Sequence, residues 1–272
     1  IIRYRRSGDT MLGKTVCIGV GAMGGALLRG ALAQGILQAS DVSIVVRRAE
    51  HRDELIDELG VTGYIDLPDM AQFDTIILAV KPQVLPSVLS QLTSVKAGAT
   101  VISVAAGVTL ETLRKALPMA VLYRAMPNTP ASIGCGMTAL TADNDADTTS
   151  VEALFNAVGE VAVVSEADLD RLGALSGAGP GYMFVILDAL ADAGVRIGLP
   201  RQLAIKAAAQ TMYGAGKMAV DTGCHPAILR DQVTSPGGTT IAGIGAMEKG
   251  GLRSALQDGV VACLSRSNEL GK

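Results

Sequence analysis

The sequence contains no tryptophan, three phenylalanines and five tyrosines, so it has little from which to build an aromatic binding surface. No run of aromatics is present on which bases could stack, which argues against a single-stranded nucleic-acid binder. Charge of one sign is lacking too: 23 basic and 26 acidic side chains are mixed along 272 residues, for a formal charge of −3. No extended Lys/Arg block can neutralise a phosphate backbone. The nearest approach is Arg3, Arg5 and Arg6, which read as a solvated tail in an extension upstream of Met11. Apolar stretches such as Thr75–Val80 fall far short of the roughly 20 residues that span a bilayer. The basic start is not followed by the apolar segment of a signal peptide. Histidine is scarce (His51 and His225), and Cys17, Cys135, Cys224 and Cys263 are widely scattered. Neither residue type has metal-ligand or disulfide-framework spacing. These absences describe a cytoplasmic protein in a reduced compartment, with no metal site and neither membrane nor nucleic acid as partner.

What is abundant is small and aliphatic. Apolar residues make up 49% of the chain and charged residues 18%, with 32 glycines, a composition for closely packed helices and strands. Strand-like runs at Thr15–Val20, Val42–Val46, Thr75–Val80, Thr100–Ala105, Ala120–Arg124 and Gly136–Leu140 alternate with helical ones. The helical runs are Ala26–Leu37, Glu50–Leu59, Val84–Leu92 and Leu110–Leu117. This is a βαβ pattern, which implies a largely parallel sheet covered on both faces. Beyond about Val164 the strands vanish and helices are expected over Pro180–Val195, Arg201–Val220 and Arg253–Leu270. Their apolar faces are broader than a small helical unit readily conceals, so burial against a second subunit is expected. The alternative is that they pack internally.

Gly19-Val20-Gly21-Ala22-Met23-Gly24 is a GxGxxG turn between a strand and a helix. There the first glycine permits the turn and the second lets backbone approach a pyrophosphate. The third allows close packing at a helix start whose free N–H groups favour phosphates. A bare glycine turn would serve structure alone; embedded in βα units it predicts a dinucleotide site. After the second strand, where an NAD site commonly places a carboxylate, the chain has Arg47-Arg48. Two guanidinium groups suit a 2′-phosphate and favour NADP, with NADH still possible if the arginines only solvate the helix start.

Near the other end, Thr234-Ser235-Pro236-Gly237-Gly238-Thr239-Thr240 precedes a helical run at Ile241–Met247. It reads as an anion nest suited to a carboxylate, or else as a plain turn and helix cap. No His–Asp, Ser–His–Asp or lysine-centred set accompanies it. That fits hydride transfer to an already electrophilic protonated imine better than carbonyl reduction, which needs a proton donor for the alkoxide.

The chain resembles the pyrroline-5-carboxylate reductase family from about Lys14 to Leu270. The resemblance is carried by Ile18–Gly24, Ala79-Val80-Lys81-Pro82-Gln83, Ser103–Gly107, Arg124-Ala125-Met126-Pro127-Asn128-Thr129-Pro130-Ala131, Ser176-Gly177-Ala178-Gly179-Pro180, Asp231–Ile241 and Arg266–Leu270. It implies an α/β fold: an N-terminal Rossmann-like doubly wound sheet (12–164), then an all-helical dimerisation and substrate domain (165–272). The reaction implied is reduction of L-1-pyrroline-5-carboxylate to L-proline by NADPH or NADH, the last step of proline biosynthesis, in a homodimer or a decamer of five dimers. It implies cofactor contacts at Gly19, Gly21, Ala22, Met23, Gly24, Arg47 and Arg48, and beside them Val80, Lys81 and Pro82. Ala105, Ala106 and Gly107 are implied along the nicotinamide side, with Met126, Pro127 and Asn128 nearby. Ser235, Gly238, Thr239 and Thr240 are implied around the substrate, with the Thr240 hydroxyl as the orienting or proton-relay group. Ala178 departs from the serine many relatives carry, which removes a hydroxyl but keeps the small helix entry. A hydroxyacid dehydrogenase would instead need a catalytic lysine; Lys206 is the candidate, and Gln210 stands where its partner asparagine would be.

Overall fold

The computed structural model describes residues 12–270; Arg3, Arg5, Arg6 and Met11 lie outside them. Eight strands form one sheet: β1 (Thr15–Ile18), β2 (Val42–Val45), β3 (Thr62–Tyr64), β4 (Thr75–Leu78), β5 (Thr100–Ser103), β6 (Val121–Met126), β7 (Gly136–Ala142) and β8 (Gly159–Val163). Their order is β3-β2-β1-β4-β5-β6-β7-β8. All neighbours are parallel except β6 and β7. The first six strands thus have the order of a doubly wound dinucleotide-binding sheet.

The strands are short and apolar because both faces are covered. Val16, Ile18, Ile76, Leu78 and Val101 pack with Leu85, Val88 and Leu89 of α3 (Leu85–Gln91) and with Leu110 and Leu113 of α4 (Leu110–Ala116). The intervening residues Cys17, Ile77 and Ile102 belong to the opposite layer. There they join Leu27, Leu28 and Ala31 of α1 (Ala22–Ala33) and Leu154 and Phe155 of α5 (Thr149–Asn156). This alternation is the period-2 geometry of a strand, and each buried large aliphatic side chain contributes about 1.5–3 kcal/mol.

Burial also silences Cys17, whose side chain has no exposure. Desolvation pushes its thiol up to about 12, so at neutral pH it carries roughly a thousandfold less thiolate than at its ordinary value. Alkylation of the folded protein at pH 8 is expected to modify exposed Cys135 and spare Cys17 until the chain is denatured. Equal rates at the two thiols, followed by peptide mass spectrometry, would contradict this packing.

Between β1 and β4 the direction of winding reverses, which opens a crevice at the carboxyl edge of the sheet. Segments 19–24, 46–48, 79–82 and 104–107 leave their strands at that edge. Two strands and three helices, at Thr149–Asn156, Glu166–Leu172 and Pro226–Gln232, went unseen in the sequence. β3 has three residues, one of them glycine, β8 alternates with glutamate, and α5 follows an acid-rich stretch.

The described chain forms two compact units, one running to Ala178 and including the end of the chain from Cys263, the other Gly179–Ala262. The expected division fell at 164/165. The intervening α6 (Glu166–Leu172) and the π-helical turn Gly173–Gly177 pack on β6 and β7. Arg124, buried on β6, holds α6 there through Glu166 at 2.6 Å and Asp170 at 3.0 Å. The second unit contains α7 (Gly179–Arg196), α8 (Arg201–Thr222), α9 (Pro226–Gln232), α10 (Thr239–Lys249) and most of α11 (Leu252–Leu270). α7 and α8 pack together and are pinned by an Asp192–Arg201 pair at 2.5 Å. Only Ala191, Ala204 and Ala208 are buried in this unit, while Phe184, Val185, Ile197 and Leu203 are exposed on the chain. By length and composition the continuous helix Glu166–Arg196 suffices to cross a bilayer, a stretch that the reading from short apolar runs had overlooked.

Candidate active site

The glycine turn is built by sterics. Gly19 has φ +91°, and a β-carbon there would lie 2.8 Å from the Ala79 carbonyl oxygen. A β-carbon on Gly24 would lie 2.4 Å from the Gly19 carbonyl oxygen, so only glycine lets α1 start so close to β1 and β4. This is why α1 begins at Ala22 rather than at the expected Ala26. Gly21 differs: a β-carbon there meets no atom within 4 Å. It is the N-cap of α1, no side chain caps the helix, and no acidic residue sits in its first turn. The helix start at Gly21 therefore borders open space with the positive end of the helix dipole behind it, while Ala22, Met23 and buried Gly24, in the same first turn, do not themselves line that space.

That space is a cavity of about 980 Å³ at the carboxyl edge, lined by Gly19, Gly21, Arg47, Arg48, Val80 and Lys81 among others. It falls within the range of cofactor-sized pockets. Arg47 and Arg48 are exposed, and among the described residues no ion pair engages either. The uncapped helix, the open position at Gly21 and two uncommitted guanidinium groups fit a phosphorylated dinucleotide. Four further polar lining residues, His51, Asp66, Ser87 and Gln91, were not picked out from sequence. Ser87 and Gln91 are one helical turn apart on α3, a spacing that could have flagged a shared polar face. His51 carried the signal of standing three residues after Arg48, in the first turn of α2 (Ala49–Leu59).

The other expected contacts lie outside this cavity. Pro82 opens the turn into α3, while Ala105, Ala106 and Gly107 follow β5. Met126 ends β6 and leads into Pro127 and Asn128. Asn128 is buried and committed to the protein: its amide donates to the Ser176 carbonyl at 2.9 Å and accepts from Met137 N–H at 2.9 Å. The side chain thus fixes the β6 exit instead of pointing a free amide at a ligand.

In the helical unit, Gly238 N–H donates to the Ser235 carbonyl at 3.0 Å, closing a turn with Gly237 at φ +68°. Pro236 followed by a positive-φ glycine is the signature of a type II turn. A β-carbon on Gly238 would lie 2.3 Å from the Ser235 Oγ, so a side chain there would require the Ser235 hydroxyl to turn away. Gly238 is the N-cap of α10, again without a side-chain cap or a first-turn acid, and Thr239 and Thr240 are exposed in that turn. Ser235, Gly238, Thr239 and Thr240 therefore share one uncapped helix start. Lys206 is exposed on α8.

Residues 14–107 match a family model described as NADP oxidoreductase, coenzyme F420-dependent. Residues 166–270 match one described as pyrroline-5-carboxylate reductase dimerisation. A pyrroline-5-carboxylate reductase from Synechocystis sp. is 41% identical over 94% of this chain and 97% of its own length. The structure of a pyrroline-5-carboxylate reductase from Coxiella burnetii superposes with TM-score 0.89 at 34% identity, covering 96% of this chain and 99% of that one. The Plasmodium falciparum pyrroline carboxylate reductase, solved with NADP bound, gives TM-score 0.81 at 26% identity, covering 97% and 100%. With its glycine turn, its helical half and nearly its whole length matched, this chain belongs to the pyrroline-5-carboxylate reductase family.

Proposed function

We propose that the chain reduces L-1-pyrroline-5-carboxylate to L-proline with NADPH, the closing step of proline biosynthesis. The observation that carries this reading is the near-complete similarity to reductases of that substrate. The uncapped α10 start supports it by offering an anion site without a general acid of the kind a carbonyl would need.

In this reading the N–H groups after Gly21 hold the pyrophosphate, with Gly19 and Gly24 shaping the turn and Ala22 and Met23 supplying backbone. Arg47 and Arg48 take the 2′-phosphate. Val80, Lys81 and Pro82 border the dinucleotide, and Ala105, Ala106, Gly107, Met126, Pro127 and Asn128 form the surroundings of the nicotinamide. The chemistry supplied by bound NADPH is a hydride to the imine carbon, with the C=N π electrons passing to nitrogen. Ser235 and the backbone of Gly238 and Thr239 hold the substrate carboxylate, and the Thr240 hydroxyl orients the ring nitrogen and its proton. Because the imine enters protonated, the residues have to position it and exclude competing water rather than create the electrophile.

The exposed apolar faces of α7 and α8 are read as a homodimer interface, with five dimers in a decamer as the finer proposal. The free state of all four cysteines suits the cytoplasm.

NADPH oxidation should be measured with pyrroline-5-carboxylate and with 2-oxo acids. Oxidation is expected with the cyclic imine alone; folded protein that oxidises NADPH only with oxo acids would sink the reading. Thr240→Val keeps the shape and removes the hydroxyl, and is expected to lower kcat/KM roughly tenfold, the worth of one hydrogen bond to a charged group. Unchanged kcat and KM would remove Thr240 from substrate handling.

A further inference from the structure

We infer that His51 determines dinucleotide specificity by holding the Arg47–Arg48 segment in register with the glycine turn. The inference rests on the NADP reading above. His51 lines the same cavity as Gly19, Gly21, Arg47 and Arg48, and neither the fold's core nor the proposed chemistry uses it. Its Nε2 lies 3.0 Å from the carbonyl oxygen of Val20, the residue between the first two glycines of the turn. A carbonyl only accepts, so Nε2 carries a proton in this contact. Nδ1 faces the Glu54 carboxylate at 3.4 Å, one turn along α2. The ring therefore straps the start of α2 onto a turn 31 residues earlier in the chain.

The two arginines stand directly before that start, with Arg48 as the N-cap of α2. Their backbone is tied on one side by Val46 N–H to the Tyr64 carbonyl at 3.1 Å and on the other by Arg52 N–H to the Arg48 carbonyl at 3.0 Å. Their side chains are exposed and lack ion-pair partners among the described residues. Two unanchored guanidinium groups can converge on one phosphate only if the backbone carrying them is fixed, since each loses rotamer entropy on binding. His51 supplies that fixation and references it to the place where the pyrophosphate is held. A strap that served only the glycine turn would help every dinucleotide alike, because the pyrophosphate is common to all. One that serves the arginines helps only the cofactor carrying a 2′-phosphate.

The test is calorimetric binding of NADP⁺ and NAD⁺ to wild-type protein, His51→Ala, His51→Gln, Arg48→Ala and the His51→Ala/Arg48→Ala double variant, with thermal melting of each. His51→Ala is expected to weaken NADP⁺ about tenfold and NAD⁺ less than twofold, relying on lost preorganisation. His51→Gln, which keeps an N–H donor, is expected to recover most of the NADP⁺ affinity. The double variant is expected to lose less NADP⁺ affinity than the sum of the two single losses, because the strap acts through the arginines and only Arg47 remains to benefit from it. Equal weakening of both dinucleotides, no weakening, or simple addition of the two losses would overturn the inference while leaving the cofactor reading intact. Wild-type protein that binds NAD⁺ as tightly as NADP⁺ would overturn both.

Discussion

Replacing Gly21 by valine is expected to leave the protein's stability nearly unchanged and to weaken NADPH binding by on the order of a hundredfold, whereas the same change at Gly24 is expected to destabilise the nucleotide unit by about 3 kcal/mol or more. The two residues lie three apart in one turn, and their surroundings separate the effects. Around Gly21 a β-carbon meets nothing within 4 Å, and the residue has an extended backbone that valine readily adopts. The stability loss there is limited to a poorer helix N-cap, about 1 kcal/mol. What the valine does fill is the space in front of the uncapped N–H groups, where pyrophosphate must approach to van der Waals distance. Around Gly24 a β-carbon would lie 2.4 Å from the Gly19 carbonyl oxygen and 3.1 Å from the Ala79 β-carbon, so α1 must move off the sheet. Overpacking a site of this kind costs about 1–3 kcal/mol, or more when backbone is the obstacle. Thermal melting and NADPH fluorescence titration of both variants distinguish the cases. A Gly21→Val protein that binds NADPH normally would mean that the cofactor does not lie on this turn.

The second large effect concerns Arg124, and it depends on which partner is removed. The guanidinium is only 3% exposed, while Glu166 and Asp170 are about one-third exposed. Glu166 Oε1 also accepts from Leu110 N–H at 2.7 Å, at the start of α4. The double change Glu166→Ala/Asp170→Ala strands a buried cation and orphans that N–H. It is expected to cost about 3–5 kcal/mol, the range for breaking a buried ion pair from one side. Arg124→Met replaces the cation with an apolar chain of similar length and leaves two carboxylates that water can reach. Its expected cost is below about 1 kcal/mol, by the same reasoning. Denaturant midpoints at one fixed protein concentration, with unchanged m-values, measure the difference. An Arg124→Met loss equal to that of the double variant would show that the carboxylates, not the guanidinium, dominate this cluster.

The fold was legible where pattern is local. Runs such as Thr75–Leu78, the helices α7, α8 and α11, and the glycine turn all announce themselves within a few residues. β3 did not, because three residues with a central glycine carry no apolar period and depend on pairing with β2. In the candidate site, Arg47 and Arg48 were legible from their place after the second strand. His51 was not, since its meaning lies in a hydrogen bond to Val20 across 31 residues. Arg124 and Glu166 are separated by 42 positions, and neither residue signals the other in the sequence. Asn128 shows the converse. Its motif marked it as a binding residue, while its side-chain bonds go to Ser176 and Met137.

The helical unit buries only three alanines of its own, so in the proposed homodimer the distinction between surface and interior there is drawn by the second copy of the chain. Phe184, Ile197 and Leu203, exposed on one chain, are then free to vary only as far as an interior residue is. Inheritance adds a further condition. In a self-paired interface every substitution meets itself or its mirror position, so a single codon change alters both sides at once. This half of the molecule can drift only along paths on which each step is compatible with its own copy.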